Sequence, residues 1–150
     1  MIPDPPFETT LLVRDACLCL HVQRAARALG RRFDLALRPL GLTSGQFSLM
    51  MSLNRPETPR MAPVAALLGM DRTTLTAALK PLRRRALLKI AADPADRRAR
   101  SITLTPKGRR LLALAVPIWM SSHKAIEALL PDGEPDRLRN NLRTLAKSSE

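Results

Sequence analysis

Hydrophobic residues recur with a helical period at both ends of the chain. A wide apolar stripe over about residues 10–38 predicts one long helix, which Pro39 ends. In the C-terminal third, the same period predicts a helix over about 106–130, bent or interrupted at Pro117, and a last helix over about 136–147. The pattern therefore predicts a mainly α protein with long helices at its two ends.

The segment between these helices carries shorter elements with recognisable ends. Thr43 followed by Gln46 matches a capping box and starts a second helix. Pro63 suits the first position of a short helix, which Gly69 closes. Asp71 then suits the N-cap of the next helix. Two helices joined by so tight a turn predict a helix-turn-helix.

The helix after Asp71 has two different faces. At 100° per residue, one face is apolar and is expected to pack inward; it contains Leu75, Leu79, Leu82 and Ala86. The polar face and the start of the helix form a surface that is expected to contact the bases of DNA, and we call this element the reading helix. The surface contains Arg72, Thr73, Thr74, Thr76, Ala77, Lys80 and Arg84. Short hydroxyl side chains let a helix approach base edges, and basic ones reach phosphate or guanine. Pro81 predicts a kink in this helix.

A predicted hairpin follows the reading helix. Its strands are expected at Leu88–Ala92 and Ser101–Thr105, the second with Ile102 and Leu104 on one side. The loop between them is rich in arginine, with Arg97, Arg98 and Arg100. Arginines on a loop tip suit a narrow minor groove, where the negative potential of DNA is strongest. Asp96 is expected to hold one of these arginines in position.

Positive charge is concentrated on this part of the chain. Residues 72–110 contain twelve Lys or Arg and two Asp, so they carry +10 of the formal net charge of +12. Such a segment attracts the phosphate backbone through counterion release. A solvated basic surface would show the same charge, but the helix and hairpin favour double-stranded DNA as the partner.

Composition excludes several other classes of protein. The 150 residues suit a single domain, and two His, with no Gly-rich phosphate loop, argue against an enzyme and against any cofactor. Cys17 and Cys19 lie two apart in a predicted helix, so their side chains diverge and cannot bridge each other, which excludes a disulfide scaffold. Cys17 and His21 offer only two metal ligands, so no metal site is expected. The longest apolar run, 111–120, is too short to cross a bilayer, which predicts a cytoplasmic protein without a membrane partner.

These segments resemble the MarR family, the multiple antibiotic resistance regulators. The similarity lies in the reading helix at 70–75 and 79–87, in the arginine-rich loop at 93–98, and in the strand-to-helix junction at 104–108. It extends more loosely upstream through 38–43. The loop is its most specific part.

The resemblance implies a mainly α fold with a small β-wing. A winged helix-turn-helix lobe would occupy 43–105, and helices over 10–38 and 106–147 would interlock two subunits into a homodimer. Each lobe would read half of a palindrome, with Thr73, Thr74 and Thr76 in the major groove and Arg98, beside Arg97, in the minor groove. The implied function is a sequence-specific transcriptional regulator, most simply a repressor. An architectural protein that binds DNA with little sequence preference is the alternative.

The resemblance also implies a signal that releases DNA. One candidate is a small aromatic or carboxylate effector, bound between the dimer helices and the lobe near His21, Arg24, Phe47, Met50 and Met51. The alternative for the methionines is plain core packing. The other candidate is oxidation, because the spacing of Cys19 and Arg27 is similar to that of the family's peroxide-sensing branch, although the chain has no Tyr. A buried, inert thiol is the alternative for Cys19.

Overall fold

The computed structural model describes residues 2–147, which form seven α-helices and one two-stranded antiparallel sheet. In chain order the elements are α1 (Phe7–Ala16), α2 (Leu18–Leu37), a 3-10 turn (Arg38–Leu40), α3 (Ser44–Ser52), α4 (Met61–Leu68), α5 (Arg72–Arg84), β1 (Leu88–Ala92), β2 (Arg100–Leu104), α6 (Pro106–Glu127) and α7 (Glu134–Lys147). The prediction of a mainly α fold with a small β-wing is confirmed.

The predicted N-terminal helix is in fact two helices, which meet at Cys17. This residue has extended backbone angles (φ −71°, ψ 107°), so the prediction of one continuous helix over 10–38 was wrong. The amide of Cys17 still donates to the carbonyl of Val13, and its own carbonyl accepts from the amide of His21. Nε2 of His21 lies 3.0 Å from the carbonyl oxygen of Asp15 and offers the end of α1 a side-chain partner. A junction of one residue leaves the apolar period almost unchanged, so the pattern did not reveal it.

Predicted helix ends agree with the structure where the signal is local. Thr43 accepts a hydrogen bond from the amide of Gln46 and donates its own amide to the Gln46 side chain, both at 3.1 Å, which confirms the capping box. Gly69 closes α4 in the left-handed conformation, with φ 63°. Pro63 is the third residue of α4 rather than the first, because the helix begins at Met61.

Neither internal proline ends its helix. α5 continues past Pro81 to Arg84, and α6 runs for 22 residues through Pro117, so the predicted interruption of α6 was wrong. A proline inside a helix removes one backbone hydrogen-bond donor. Both helices nevertheless pack an apolar face against the core, where Leu82 of α5 and Leu112 and Ala115 of α6 are buried. Packing of an apolar face provides most of the stability of a helix within a protein.

A third segment extends the hairpin sheet. β1 and β2 pair with Ile90 opposite Ile102, and the amide of Ile102 also donates to the carbonyl of Pro59 at 3.0 Å. Arg60 forms an isolated bridge with Ser101. Ser101 is consequently buried, although it lies on the side of the strand opposite Ile102 and Leu104. The strand also begins and ends one residue earlier than expected.

The hydrophobic core lies within the lobe. It is built by the end of α2, by α3 to α5, by the hairpin and by the first half of α6, and its fully buried members include Leu37, Leu49, Met50, Leu75, Leu79 and Ile102. By contrast, α1 and α7 bury none of their residues. Within residues 2–147, no helix is both long and apolar enough to cross a membrane.

Candidate nucleic-acid interface

The side chain of Asp71 caps the start of α5. Its Oδ1 accepts a 2.7 Å hydrogen bond from the amide of Thr74, which confirms the predicted N-cap. This amide, and then the Thr74 side chain, lowers the pKa of the Asp71 carboxyl. A carboxylate at the N-terminus of a helix also interacts favourably with the helix dipole. The first turn, where the predicted reading residues begin, is therefore held in place.

The two faces of α5 have opposite exposures. Leu75, Leu79 and Leu82 are buried against the core. The predicted reading residues are all exposed: Arg72, Thr73, Thr74, Thr76, Ala77, Lys80 and Arg84. Thr76 donates its hydroxyl to the Arg72 carbonyl at 2.8 Å, which leaves the oxygen lone pairs available as acceptors. Whether these residues contact DNA stays a prediction at this point.

Ala86 does not belong to the apolar face of α5. The helix ends at Arg84, and Ala86 is exposed with a φ of 56°. This left-handed residue reverses the chain so that Leu87, which is buried, takes the core position expected of Ala86.

The wing loop is organised by Asp93. Oδ1 of Asp93 accepts from the amide of Ala95 at 2.8 Å, and Oδ2 accepts from Nε of Arg60 at 2.7 Å. The Ala95 amide, followed by the Arg60 guanidinium, lowers the pKa of the Asp93 carboxyl. Asp96 accepts from the backbone amide of Arg98 at 3.0 Å, so it holds this arginine through its backbone and not through its guanidinium. A carboxylate two residues before an amide favours this local turn instead.

The basic segment divides into two groups of side chains. Three of its members donate to backbone carbonyls and stabilise the lobe: Arg85 to Gly41, Lys107 to Arg85 and Arg109 to Leu104. By contrast, Arg97, Arg98 and Arg100 are exposed, and no acidic side chain pairs with them among residues 2–147. Most of the positive charge that is free to meet a ligand lies on the wing and on the exposed face of α5.

Sequence reasoning missed Arg60. It stands in a proline-rich loop, 33 residues before its partner Asp93, and nothing local distinguishes it from other surface arginines. The bridge to Ser101 and the hydrogen bond between Pro59 and Ile102 bring this loop against the wing.

The predicted effector residues do not share one site. Phe47 and Met51 line a cleft of about 740 Å³ between α3, α4 and α6, but Met50 is fully buried in the core. His21 and Arg24 lie along α2, beside a separate cavity of about 650 Å³. Met50 therefore lines neither cavity, and the other four predicted residues are divided between two cavities of the single chain.

Two aromatic residues of α6 were also missed. The ring of Trp119 stacks on Phe47 with centroids 6.0 Å apart, and on its other neighbour His123 with centroids 4.6 Å apart. Trp119 lines the cleft. It is the only Trp in the chain, which is the one signal that the sequence offered.

The cysteines lie at the start of α2. Cys17 is half-buried in the junction, so the helical geometry used to argue that its side chain diverges from Cys19 does not apply. Cys19 is exposed, which contradicts the alternative of a buried thiol. Its sulfur accepts from Gln23 at 3.3 Å, and Gln23 accepts from Arg27 at 3.4 Å. No cluster of three potential metal ligands occurs among the described residues.

Solved structures share this architecture over nearly the whole chain. The transcriptional regulator MosR of Mycobacterium tuberculosis, solved in complex with DNA, is 39% identical, with a TM-score of 0.80 over 89% of this chain and 96% of its own. CouR, a repressor bound to a 23-mer DNA duplex, is 30% identical, with a TM-score of 0.79 over 89% of this chain and 95% of its own. A MarR-family regulator from Rhodococcus sp. RHA1 is 25% identical, with a TM-score of 0.73 over 87% and 96%. The chain belongs to the MarR family.

Comparison with curated proteins also finds regulators of transcription. Among curated proteins, the chain matches transcriptional regulators, spanning 50% and 57% of the length of two of them. No protein-family model matches. In this MarR-family chain, the similarity to solved structures includes the terminal helices, because it extends well beyond the lobe at 43–105. These relatives are transcriptional regulators or repressors.

Proposed function

We propose that this MarR-family chain is a homodimeric, sequence-specific transcriptional repressor that binds a palindromic operator. The observation that carries the proposal is the exposed threonine face of α5 beside a wing whose arginines are exposed and unpaired among the described residues. MosR and CouR, with the same architecture, were solved on DNA.

The two elements divide the recognition of DNA between them. Thr73, Thr74 and Thr76 meet base edges in the major groove, where each base pair displays a distinct pattern of donors and acceptors. Arg98, with Arg97 beside it, enters the adjacent minor groove. Lys80 and Arg84 contact phosphate or guanine. Two-fold symmetry then places the half-sites about 34–36 Å apart.

The terminal helices supply the dimer interface. In the single chain, α1 exposes the apolar side chains of Phe7 and Leu12 to solvent, and α7 exposes those of Leu138 and Leu142. Large apolar surfaces of this kind mark interaction sites rather than monomer surfaces. When the terminal helices of two copies pack together, these side chains are buried in a closed, symmetric dimer.

Release from DNA follows an effector or oxidation. The cleft beside Phe47, Met51 and Trp119 suits a small aromatic or carboxylate compound, because its walls are largely apolar and Arg55 supplies one positive charge. CouR has also been solved with p-coumaroyl-CoA. Cys19, exposed and hydrogen-bonded through Gln23 to Arg27, is the second candidate sensor. Either signal acts by favouring a conformation that DNA does not bind.

Selection of genomic fragments by the purified protein tests the proposal. A repressor enriches a few palindromic sites, and peroxide or a panel of aromatic acids releases them. An architectural protein would retain random DNA equally well and show a steep dependence on salt.

Two substitutions test the assigned residues. Thr76→Ala is expected to change base preference, while Thr144→Ala, which removes a similar hydroxyl bonded to the carbonyl four residues earlier on α7, leaves it unchanged. Arg98→Ala is expected to weaken binding to all sequences. Normal binding by Thr76→Ala and Arg98→Ala would contradict the assignment.

A further inference from the structure

A groove lined by arginine runs between α5 and the wing hairpin. Two cavities of about 440 and 450 Å³ lie along it, and both are lined by Met61, Arg72 and Arg100. The arginines around the two cavities are Arg60, Arg72, Arg83, Arg98 and Arg100. No acidic side chain of the described part of the chain lines either cavity. We call this surface the arginine groove.

The guanidinium groups of the arginine groove are largely unused by the protein. Arg60 donates only its Nε, to Asp93, so its two terminal nitrogens make no hydrogen bond within residues 2–147. The side chains of Arg72, Arg83 and Arg100 have no acidic partner there. Like charges gathered without counterions raise the free energy of the free protein, and a polyanion in the groove relieves this repulsion.

The arrangement of the reading elements identifies the polyanion. In B-DNA, the major and minor grooves are separated by a single sugar-phosphate strand. A protein with α5 in one groove and its wing in the next must therefore place that strand across the surface between the two elements. This surface is the arginine groove.

We propose that the arginine groove holds this sugar-phosphate strand, and that Arg60 and Arg83 contact its phosphates alongside Arg72 and Arg100. The proposal rests on the DNA-binding function proposed above. It gives Arg60 two roles. Its Nε holds the base of the wing through Asp93, and its two terminal nitrogens remain available to donate hydrogen bonds to a phosphodiester. A guanidinium can serve both, since it carries five donors.

The dependence of operator affinity on salt tests the proposal. The slope of log K against log salt is about −0.9 for each phosphate neutralised, so removing one contact in each subunit of a dimer makes the slope about 1.8 less steep. We expect this change for Arg60→Ala and for Arg83→Ala. Arg143→Ala, a matched change on α7, is expected to leave the slope unaltered.

A second variant separates phosphate contact from wing placement. Asp93→Asn breaks the ion pair but keeps the Arg60 guanidinium, so the slope is expected to remain as steep as in the unmodified protein. If Asp93→Asn reduces the slope as much as Arg60→Ala does, Arg60 acts only by holding the wing, and the proposal is overturned. Circular dichroism of each variant checks that it is folded.

Neutralising single phosphates locates the strand. A methylphosphonate between the major-groove and minor-groove contacts should weaken binding of the unmodified protein but have little further effect on Arg60→Ala. Independent, additive losses would overturn the contact. Failure of the unmodified protein to prefer any DNA would instead refute the proposed function, so the two failures are distinguishable.

Discussion

Nε of Arg60 donates a 2.7 Å hydrogen bond to Oδ2 of Asp93, which joins the start of α4 to the first residue after β1. The Ala95 amide and then Arg60 lower the pKa of the Asp93 carboxyl below its ordinary value. A carboxyl whose pKa is lower in the folded state stabilises the fold above its ordinary pKa, and this stability is lost as the pH falls through the lowered value.

Acid is therefore expected to loosen the wing. Urea midpoints measured from pH 5 to pH 2 should fall more steeply for the unmodified protein than for Asp93→Asn, which has no carboxyl to protonate at this position. Asp132→Asn, an exposed aspartate before α7, provides the control. Identical pH profiles for the unmodified protein and Asp93→Asn would contradict a stabilising role for the charged pair.

Gly108 occupies a position with no room for a side chain. A Cβ built there would overlap the carbonyl oxygen of Leu87, which itself accepts from the amide of Thr105 at 3.0 Å. Gly108→Ala is expected to destabilise the protein by at least about 1–3 kcal/mol, because backbone must move. In α3, Gly45 has nothing within 4 Å of such a Cβ, so Gly45→Ala should gain about 0.5–1 kcal/mol. Thermal or urea unfolding measures the stability of both variants. Equal stabilities for Gly108→Ala and Gly45→Ala would show that the backbone at Leu87 can move away from residue 108 at little cost.

Trp119 reports on the proposed effector cleft. Because the chain has one Trp and no Tyr, its fluorescence comes from this residue, which lines the cleft and stacks on Phe47. An aromatic carboxylate that enters the cleft is expected to change the emission and lower operator affinity at the same concentrations.

The charge of Arg55 gives a sharper version of this experiment. Arg55→Ala removes a positive charge from the cleft and should weaken carboxylate ligands several-fold, while uncharged analogues are affected less. Arg143→Ala serves as the control on α7. If carboxylates release DNA without any change in Trp119 emission, their site lies elsewhere.

The parts of the fold that the sequence predicts well are those with local signals. Thr43 and Asp71 cap their helices through bonds to amides three residues away, so their type and spacing were sufficient. Leu75 and Leu79 follow the helical period because one face of α5 must be buried. The exposed face of the candidate site was predictable for the same reason.

The remaining features depend on contacts between distant segments. Arg60 acquires its role only when the loop before α4 bridges to Ser101, and no periodic pattern encodes that approach. The division of the effector residues has a similar origin, since α2 places His21 at a cavity separate from the one lined by Phe47. The break at Cys17 changes one residue's backbone angles and leaves the apolar period intact.

The apolar face of α7 yields the sharpest test of assembly. Leu142 is 39% exposed on a helix that buries none of its own residues, and the core lies entirely in other elements. Leu142→Glu should therefore leave the lobe folded but place a charge in the dimer interface, which costs far more there than in water. Sedimentation is expected to show a monomer, and operator affinity should fall by orders of magnitude because the two half-sites no longer bind as one unit. Asn140→Glu adds the same charge at an exposed position on the opposite side of α7 and should remain dimeric. A Leu142→Glu protein that sediments as a dimer would remove α7 from the interface and leave α1 and α2 to form it.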